Sequence, residues 1–215
     1  CENDNEHEEA LYTAREIQRL IKEEGRKYKD FAVLYRINAQ SRVLEEMFMR
    51  EGIPYKIIGG QKFYDRKEIK DIIAYLRLIQ NPADNVSLKR IINVTKRGIG
   101  DATVETAEDL AFESGVSIFS VISAANEYPA LKRAENKLTN FATMILKFRT
   151  MKENIGIAEL LEMVIDDTGI LKEYEIENTV EAQSRIENIK ELKSVTLEFE
   201  KQNETPTLEE FLAQI

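Results

Sequence analysis

Val94-Thr95-Lys96-Arg97-Gly98-Ile99-Gly100-Asp101-Ala102-Thr103 is the stretch that decides how this chain is read. Two glycines frame one apolar residue, two bases precede them, and Asp-x-Thr follows as a helix start. Glycine at both ends lets the backbone turn tightly and approach a ligand closely. The spacing predicts a short helix over 85–93, a turn at 98–100 and a second helix beginning near Ala102. The amides of Gly98, Ile99 and Gly100 are expected to point outward at the start of that second helix. Unpaired N–H groups and a partial positive charge at such an end suit an anion such as phosphate. Lys89, Arg90, Lys96 and Arg97 lie close by, and no acidic residue falls between Asn85 and Gly100. Thr95 and these neighbours read as a helical hairpin gripping a nucleic-acid backbone. A plain glycine turn with solvated bases is the alternative that the local residues leave open.

The remaining composition gives this basic patch its contrast. The chain has 215 residues and a formal net charge of −9, with 32% charged and 43% hydrophobic residues. That balance describes a folded protein with a real core, and it argues against polyanion binding by the whole surface. Acidic residues crowd the first ten positions (Glu2, Asp4, Glu6, Glu8, Glu9) and the 173–210 region. Screening beyond about 10 Å lets a local basic patch act independently of them. Few Pro and Gly residues and no Trp fit a mostly helical protein. The single cysteine, Cys1, cannot form an internal bridge. No apolar run approaches the roughly 20 residues of a membrane span, so no membrane is expected and the cytoplasm is the expected compartment.

From the N-terminus, 6–24 reads as an amphipathic helix, with Asn5 and Glu8 as a capping box and Gly25 as its stop. Phe31-Ala32-Val33-Leu34-Tyr35 reads as a buried strand ending at Arg36, 39–50 as a helix, and Tyr55-Lys56-Ile57-Ile58 as a second strand ending at Gly59-Gly60. Helix, strand, helix, strand predicts part of an open α/β sheet, whose ligands sit at the carboxyl ends of the strands. Arg36 is there a candidate phosphate clamp, or else a surface arginine paired with a carboxylate. Beyond Lys67 the pattern is helical: 68–79, 85–93, 102–114, 118–125, 131–152, 157–166, 180–201 and a segment from 208. The expected fold is mostly α, a small α/β piece followed by an all-helical one, with the boundary at Tyr128-Pro129. A weaker echo of the first turn occurs at Asp167-Thr168-Gly169-Ile170, where Thr168 and nearby amides could touch a second phosphate, or Gly169 simply caps a helix. There is no G-x-x-x-x-G-K-[ST] loop, no metal-spaced Cys/His set and no nucleophile pair, so no catalysis by this chain alone can be argued.

Tyr35-Arg36-Ile37-Asn38-Ala39-Gln40-Ser41-Arg42-Val43-Leu44-Glu45-Glu46 resembles motif IV of the UvrD/PcrA/Rep family of superfamily 1 DNA helicases, with the PcrA branch the nearest likeness. Ile53-Pro54-Tyr55, Gly59-Gly60, Phe63-Tyr64-Asp65-Arg66-Lys67-Glu68-Ile69-Lys70-Asp71 and Ala74-Tyr75-Leu76-Arg77 resemble the block that follows. Arg97-Gly98-Ile99-Gly100 resembles the family's DNA-contact element, and Gln183-Ser184-Arg185-Ile186-Glu187-Asn188 a later signature. The resemblance implies a piece of an ATP-dependent 3′–5′ DNA helicase. Residues 1–128 would be the first half of the RecA-like subdomain 2A with its helical appendage, and 129–215 part of the helical subdomain 2B. It implies that Tyr35 and Arg36 bind ATP, Arg36 reaching the γ-phosphate. Thr95, Lys96, Arg97, Gly98, Ile99 and Gly100 would contact DNA, with Thr168 and Gly169 near duplex. ATP and Mg²⁺ would serve the whole helicase, with neither expected on this segment. Its partners would be duplex DNA, the single-strand/duplex junction and the rest of the helicase chain. The Walker A and magnesium motifs are expected outside this segment, which alone should be inactive. The rival expectation is a non-catalytic helical module that docks another protein through its acidic surface.

Overall fold

Helices begin and end where side chains can satisfy their orphan backbone groups. In a computed structural model, which describes residues 5–215, helix α1 (Glu6–Glu24) is capped by Asn5, whose side chain accepts from the Glu8 amide at 2.9 Å. It stops at Gly25, φ +67°, in the left-handed region. Cys1, Glu2 and Asp4, named above for disulfide bridging and charge, lie outside the described residues. A 3₁₀ turn (Asn38–Gln40) leads into α2 (Ser41–Arg50).

The chain forms two compact units, Cys1–Arg66 and Lys67–Ile215. In the first, α1 and α2 pack through Ala10, Ala14, Ile17, Val43, Met47 and Phe48, with Ile53 closing the cluster. The two expected strands are a correction. There is no strand among the described residues, and 31–35 and 55–58 run extended without a ladder. Their side chains still alternate as in strands. Phe31, Val33 and Tyr55 turn to the core, while Leu34 and Ile58 are 93% and 81% exposed. A two-stranded ladder is marginal without a third strand, so alternation survives where pairing does not. Between the segments lies a cavity of about 840 Å³ lined by Phe31, Val33, Tyr35, Leu44, Phe48 and Tyr55.

The second unit is built around α3 (Lys67–Gln80), in which Ile69, Ile72, Ile73, Tyr75, Leu76, Leu78 and Ile79 are all buried. Glu68 and Asp71 are buried with them, and only Lys67, Lys70 and Arg77 of this helix are exposed. It is enclosed by α4 (Asn85–Ile91), α7 (Glu135–Met151), α8 (Ile157–Thr168), α10 (Val180–Gln202) and α11 (Leu208–Ala213). Each fully buried Leu or Ile there contributes roughly 1.5–3 kcal/mol. Helices α5 (Asp101–Ser114) and α6 (Ile118–Ser123) pack on each other, and α6 on α7. The short α9 (Ile170–Glu177), absent from the sequence reading, packs on α8 and α10. Tyr128-Pro129 falls inside this unit, because helices from both sides of it share α3 as their core. No helix of the described residues is long and apolar enough to cross a membrane.

Candidate nucleic-acid interface

The hairpin turn between α4 and α5 forms as its residues dictate, but from the inside. Gly98 sits at φ +67°, and Gly100 is the extended N-cap of α5, without a side-chain cap of its own. Thr95 is at φ +61°, an unusual conformation for a β-branched residue, which a surrounding structure must enforce. Asn93 supplies part of that enforcement. Its Oδ1 accepts from the Ile99 amide at 3.2 Å and its Nδ2 donates to the Ile99 carbonyl, while the Ile99 side chain is wholly buried. The Ile99 amide, expected to face a ligand, is therefore already bonded within the chain.

Arg97 supplies the rest. Its Nη1 donates to the carbonyls of Val94 and Ile91 (3.2 Å for Ile91), and its Nη2 donates to the Tyr75 hydroxyl at 2.8 Å. The guanidinium lies 5.4 Å from the centroid of the Phe141 ring and 5.9 Å from that of Tyr75. Burial pushes the Tyr75 phenol up to about 12 despite the opposing Arg97 charge, so it stays protonated and donates to the Val94 carbonyl at 3.2 Å. Arg97 thus satisfies the carbonyls that the end of α4 leaves open, as a basic group at a helix C-terminus can.

The other expected cations divide similarly. Lys89 pairs with Glu108 at 2.8 Å, and Arg90 pairs with the buried Asp71 at 2.7 Å. Burial pushes the Asp71 carboxyl up, against the pull of Arg90. Lys96 is exposed, its ammonium makes no hydrogen bond or ion pair with the described residues, and its amide donates to Glu173 of α9 at 3.3 Å. One cation that sequence adjacency could not bring here has arrived: Lys137 of α7 donates from Nζ to the Gly98 carbonyl at 2.8 Å. Gly98 and Gly100 are exposed. The Gly100 carbonyl accepts from the Thr103 and Val104 amides, so those of Asp101 and Ala102, ahead of them, have no acceptor among the described residues. Open amides and two exposed ammonium groups can hold a phosphate oxygen.

The second expected turn differs. Thr168 is buried, and its hydroxyl donates to the Val164 carbonyl at 2.6 Å. Gly169 is a left-handed cap at φ +70° whose amide donates to Ile165 and Asp166. In the first unit, Gln40 Oε1 accepts from the amides of Arg36 and Ile37 at 3.0 and 3.3 Å, bending the chain just past Tyr35. The Arg36 side chain is exposed with no partner among the described residues, and Tyr35, 37% exposed, lies at the cavity. Glu45 and Arg66 brace this bend: Ser41 donates to Glu45 at 2.7 Å, and Arg66 donates to Ser41 at 2.7 Å and to the Asn38 carbonyl at 3.0 Å. Neither was singled out from the sequence.

Fold and site together define a mostly helical chain whose first unit carries a short segment with an exposed arginine and whose second carries a glycine-framed helical hairpin. The chain belongs to the UvrD-like helicase family: the family model for the UvrD-like helicase C-terminal domain matches residues 1–215. The ATP-dependent DNA helicase PcrA of Bacillus subtilis (strain 168) is 44% identical over 212 residues, 99% of this chain and 29% of that protein. The protein of the same name from Staphylococcus aureus (strain Mu50 / ATCC 700699) is 44% identical over 207 residues, covering 96% of this chain and 28% of the relative. The chain therefore spans less than a third of the length of these relatives.

Proposed function

We propose that this chain is a segment of an ATP-dependent 3′–5′ DNA helicase of the PcrA kind, acting in DNA repair or replication in the cytoplasm. The first unit contributes to a RecA-like subdomain 2A and the second to the helical subdomain 2B. The hairpin at Lys96, Gly98 and Gly100 holds backbone phosphates of duplex DNA near the junction, and Thr95, Arg97 and Ile99 shape it. The Thr168-Gly169 turn lies near the same duplex, with the Thr168 hydroxyl and the Gly169 amide engaged within α8. What carries this reading is the set of open amides at the start of α5 beside exposed ammonium groups, in a chain whose relatives are named DNA helicases.

Arg36 fits the ATP side of the proposal. A guanidinium without a partner among the described residues, next in sequence to a partly exposed tyrosine, suits a γ-phosphate and a purine face. Bound nucleotide with Mg²⁺ supplies the transferable phosphoryl group. Arg36 would place positive charge where negative charge builds, and Gln40 would hold the bend that aims it.

Phosphate contacts make binding sequence-independent and salt-sensitive. In the full-length protein, Lys96→Ala is expected to weaken duplex binding and lower the slope of log K against log [salt] by about 0.9, the value for one phosphate contact. An unchanged slope removes Lys96 from the interface. Arg36→Ala is expected to depress DNA-stimulated ATP turnover by about 10³-fold with nucleotide affinity nearly retained, as for other arginines that stabilise phosphoryl transfer. Normal turnover in that variant removes the assignment.

A further inference from the structure

The sequence places Lys96 and Arg97 side by side as twin phosphate contacts, yet their side chains do different things. Arg97 directs its guanidinium to Ile91, Val94 and Tyr75 and stacks near Phe141. Nη1 and Nη2 thus donate to fixed carbonyls and a neutral phenol. Lys137 arrives from α7 and sets its ammonium on the Gly98 carbonyl at 2.8 Å while the residue remains exposed. An ammonium has three donors, so this bond leaves two for another acceptor. The left-handed φ of +67° accounts for the glycine, and the ammonium lies close beside it. A Cβ on residue 98 would stand 2.9 Å from Lys137 Nζ and would press the ammonium off the carbonyl.

We infer that Lys137 is a second phosphate-contacting cation of the hairpin, and that Arg97 is a positioning residue that fixes the turn from within. This rests on the duplex-contact reading above and names the residues through which it works. Lys137 belongs to a different helix and lies 39 residues from Gly98, so the contact depends on α7 being docked against the hairpin. The Arg97 role depends on shape as well as charge. A planar fork can donate to several carbonyls and a hydroxyl at once, and a lysine ammonium cannot reproduce that geometry.

The test is equilibrium binding of the full-length protein to a fluorescent duplex across a salt series, by anisotropy. Lys137→Ala is expected to weaken binding about fivefold at moderate salt and to lower the salt slope by about 0.9, with Lys137→Arg restoring both. Arg97→Lys is expected to weaken binding about as much with the slope of the native protein. Tyr75→Phe, which keeps every charge and removes one acceptor of Arg97, is expected to move in the same direction by a smaller factor. A native slope in Lys137→Ala overturns the Lys137 assignment. Native affinity in both Arg97→Lys and Tyr75→Phe overturns the positioning role, as does a slope lowered in Arg97→Lys. If the native protein binds duplex with no salt dependence and Lys96→Ala changes nothing, the phosphate-contact reading itself has failed, whatever the other variants do. Circular dichroism melting of each variant separates lost folding from lost binding, and Tyr75→Phe keeps the positioning claim testable should Arg97→Lys unfold.

Discussion

Two helix–glycine–helix turns in the second unit look alike in sequence and differ in what they leave unsatisfied. Gly98 and Gly169 have nearly the same backbone angle, φ +67° and +70°. At Gly169 the amide donates to two helix carbonyls and the neighbouring Thr168 hydroxyl to a third, while the Gly169 carbonyl accepts from the Glu173 amide, so both residues singled out there are satisfied within the chain. At Gly98–Gly100 the inner face is fixed by Asn93, Arg97 and Lys137, while the amides opening α5 have no acceptor among the described residues. A left-handed glycine is therefore a poor marker of a ligand site. Which donors remain after the chain has satisfied itself is a better one.

The sharpest way to break the comparison is to remove the clamp on one side. Asn93→Ala leaves both backbone groups of the buried Ile99 without their partner and is expected to destabilise the fold by about 2 kcal/mol or more, measured by urea unfolding. Duplex affinity should fall with it. A neutral result would show that the turn holds its shape without the asparagine.

The paired glycine substitutions come next. Gly98→Ala and Gly169→Ala each force a side chain into the left-handed region, at about 1–2 kcal/mol. Only the first adds a collision with Lys137, since nothing lies within 4 Å of a Cβ at 169. Similar losses in melting temperature are expected, with a several-fold loss of duplex affinity for Gly98→Ala alone. Equal losses of affinity would erase the distinction between the turns.

Thr168→Val should do least. It removes one hydroxyl bond within α8, about 1 kcal/mol or less, and should leave duplex affinity within about twofold in an anisotropy titration. A tenfold loss would show that the hydroxyl leaves its helix to meet DNA.

Local chemistry made much of the fold legible. Asn5, Glu8 and Gly25 bound the first helix, and the Ile/Leu spacing of 69–79 marked the helix at the heart of the second unit. The extended segments at 31–35 and 55–58 were legible as extended but not as unpaired, because pairing depends on neighbours that a local pattern does not name. The α9 helix was hidden by its length and by a glycine that ends one helix while starting the next. At the candidate site, the tight turn at 98–100 could be read from its glycines, and the bases from their clustering. Their direction could not: Lys96 and Arg97 are adjacent, yet one is exposed and the other serves the interior. Lys137 carried no signal at all, since only the docking of α7 brings it to Gly98.

Residue-resolved amide hydrogen exchange, with and without a saturating duplex, tests the central claim most directly. The account predicts that duplex slows exchange at Gly98, Gly100, Asp101 and Ala102, while Ile99 and Gly169, already hydrogen-bonded, change little. Unchanged exchange at 98–102 on a saturated complex, or protection confined to the turn at Gly169, would contradict it.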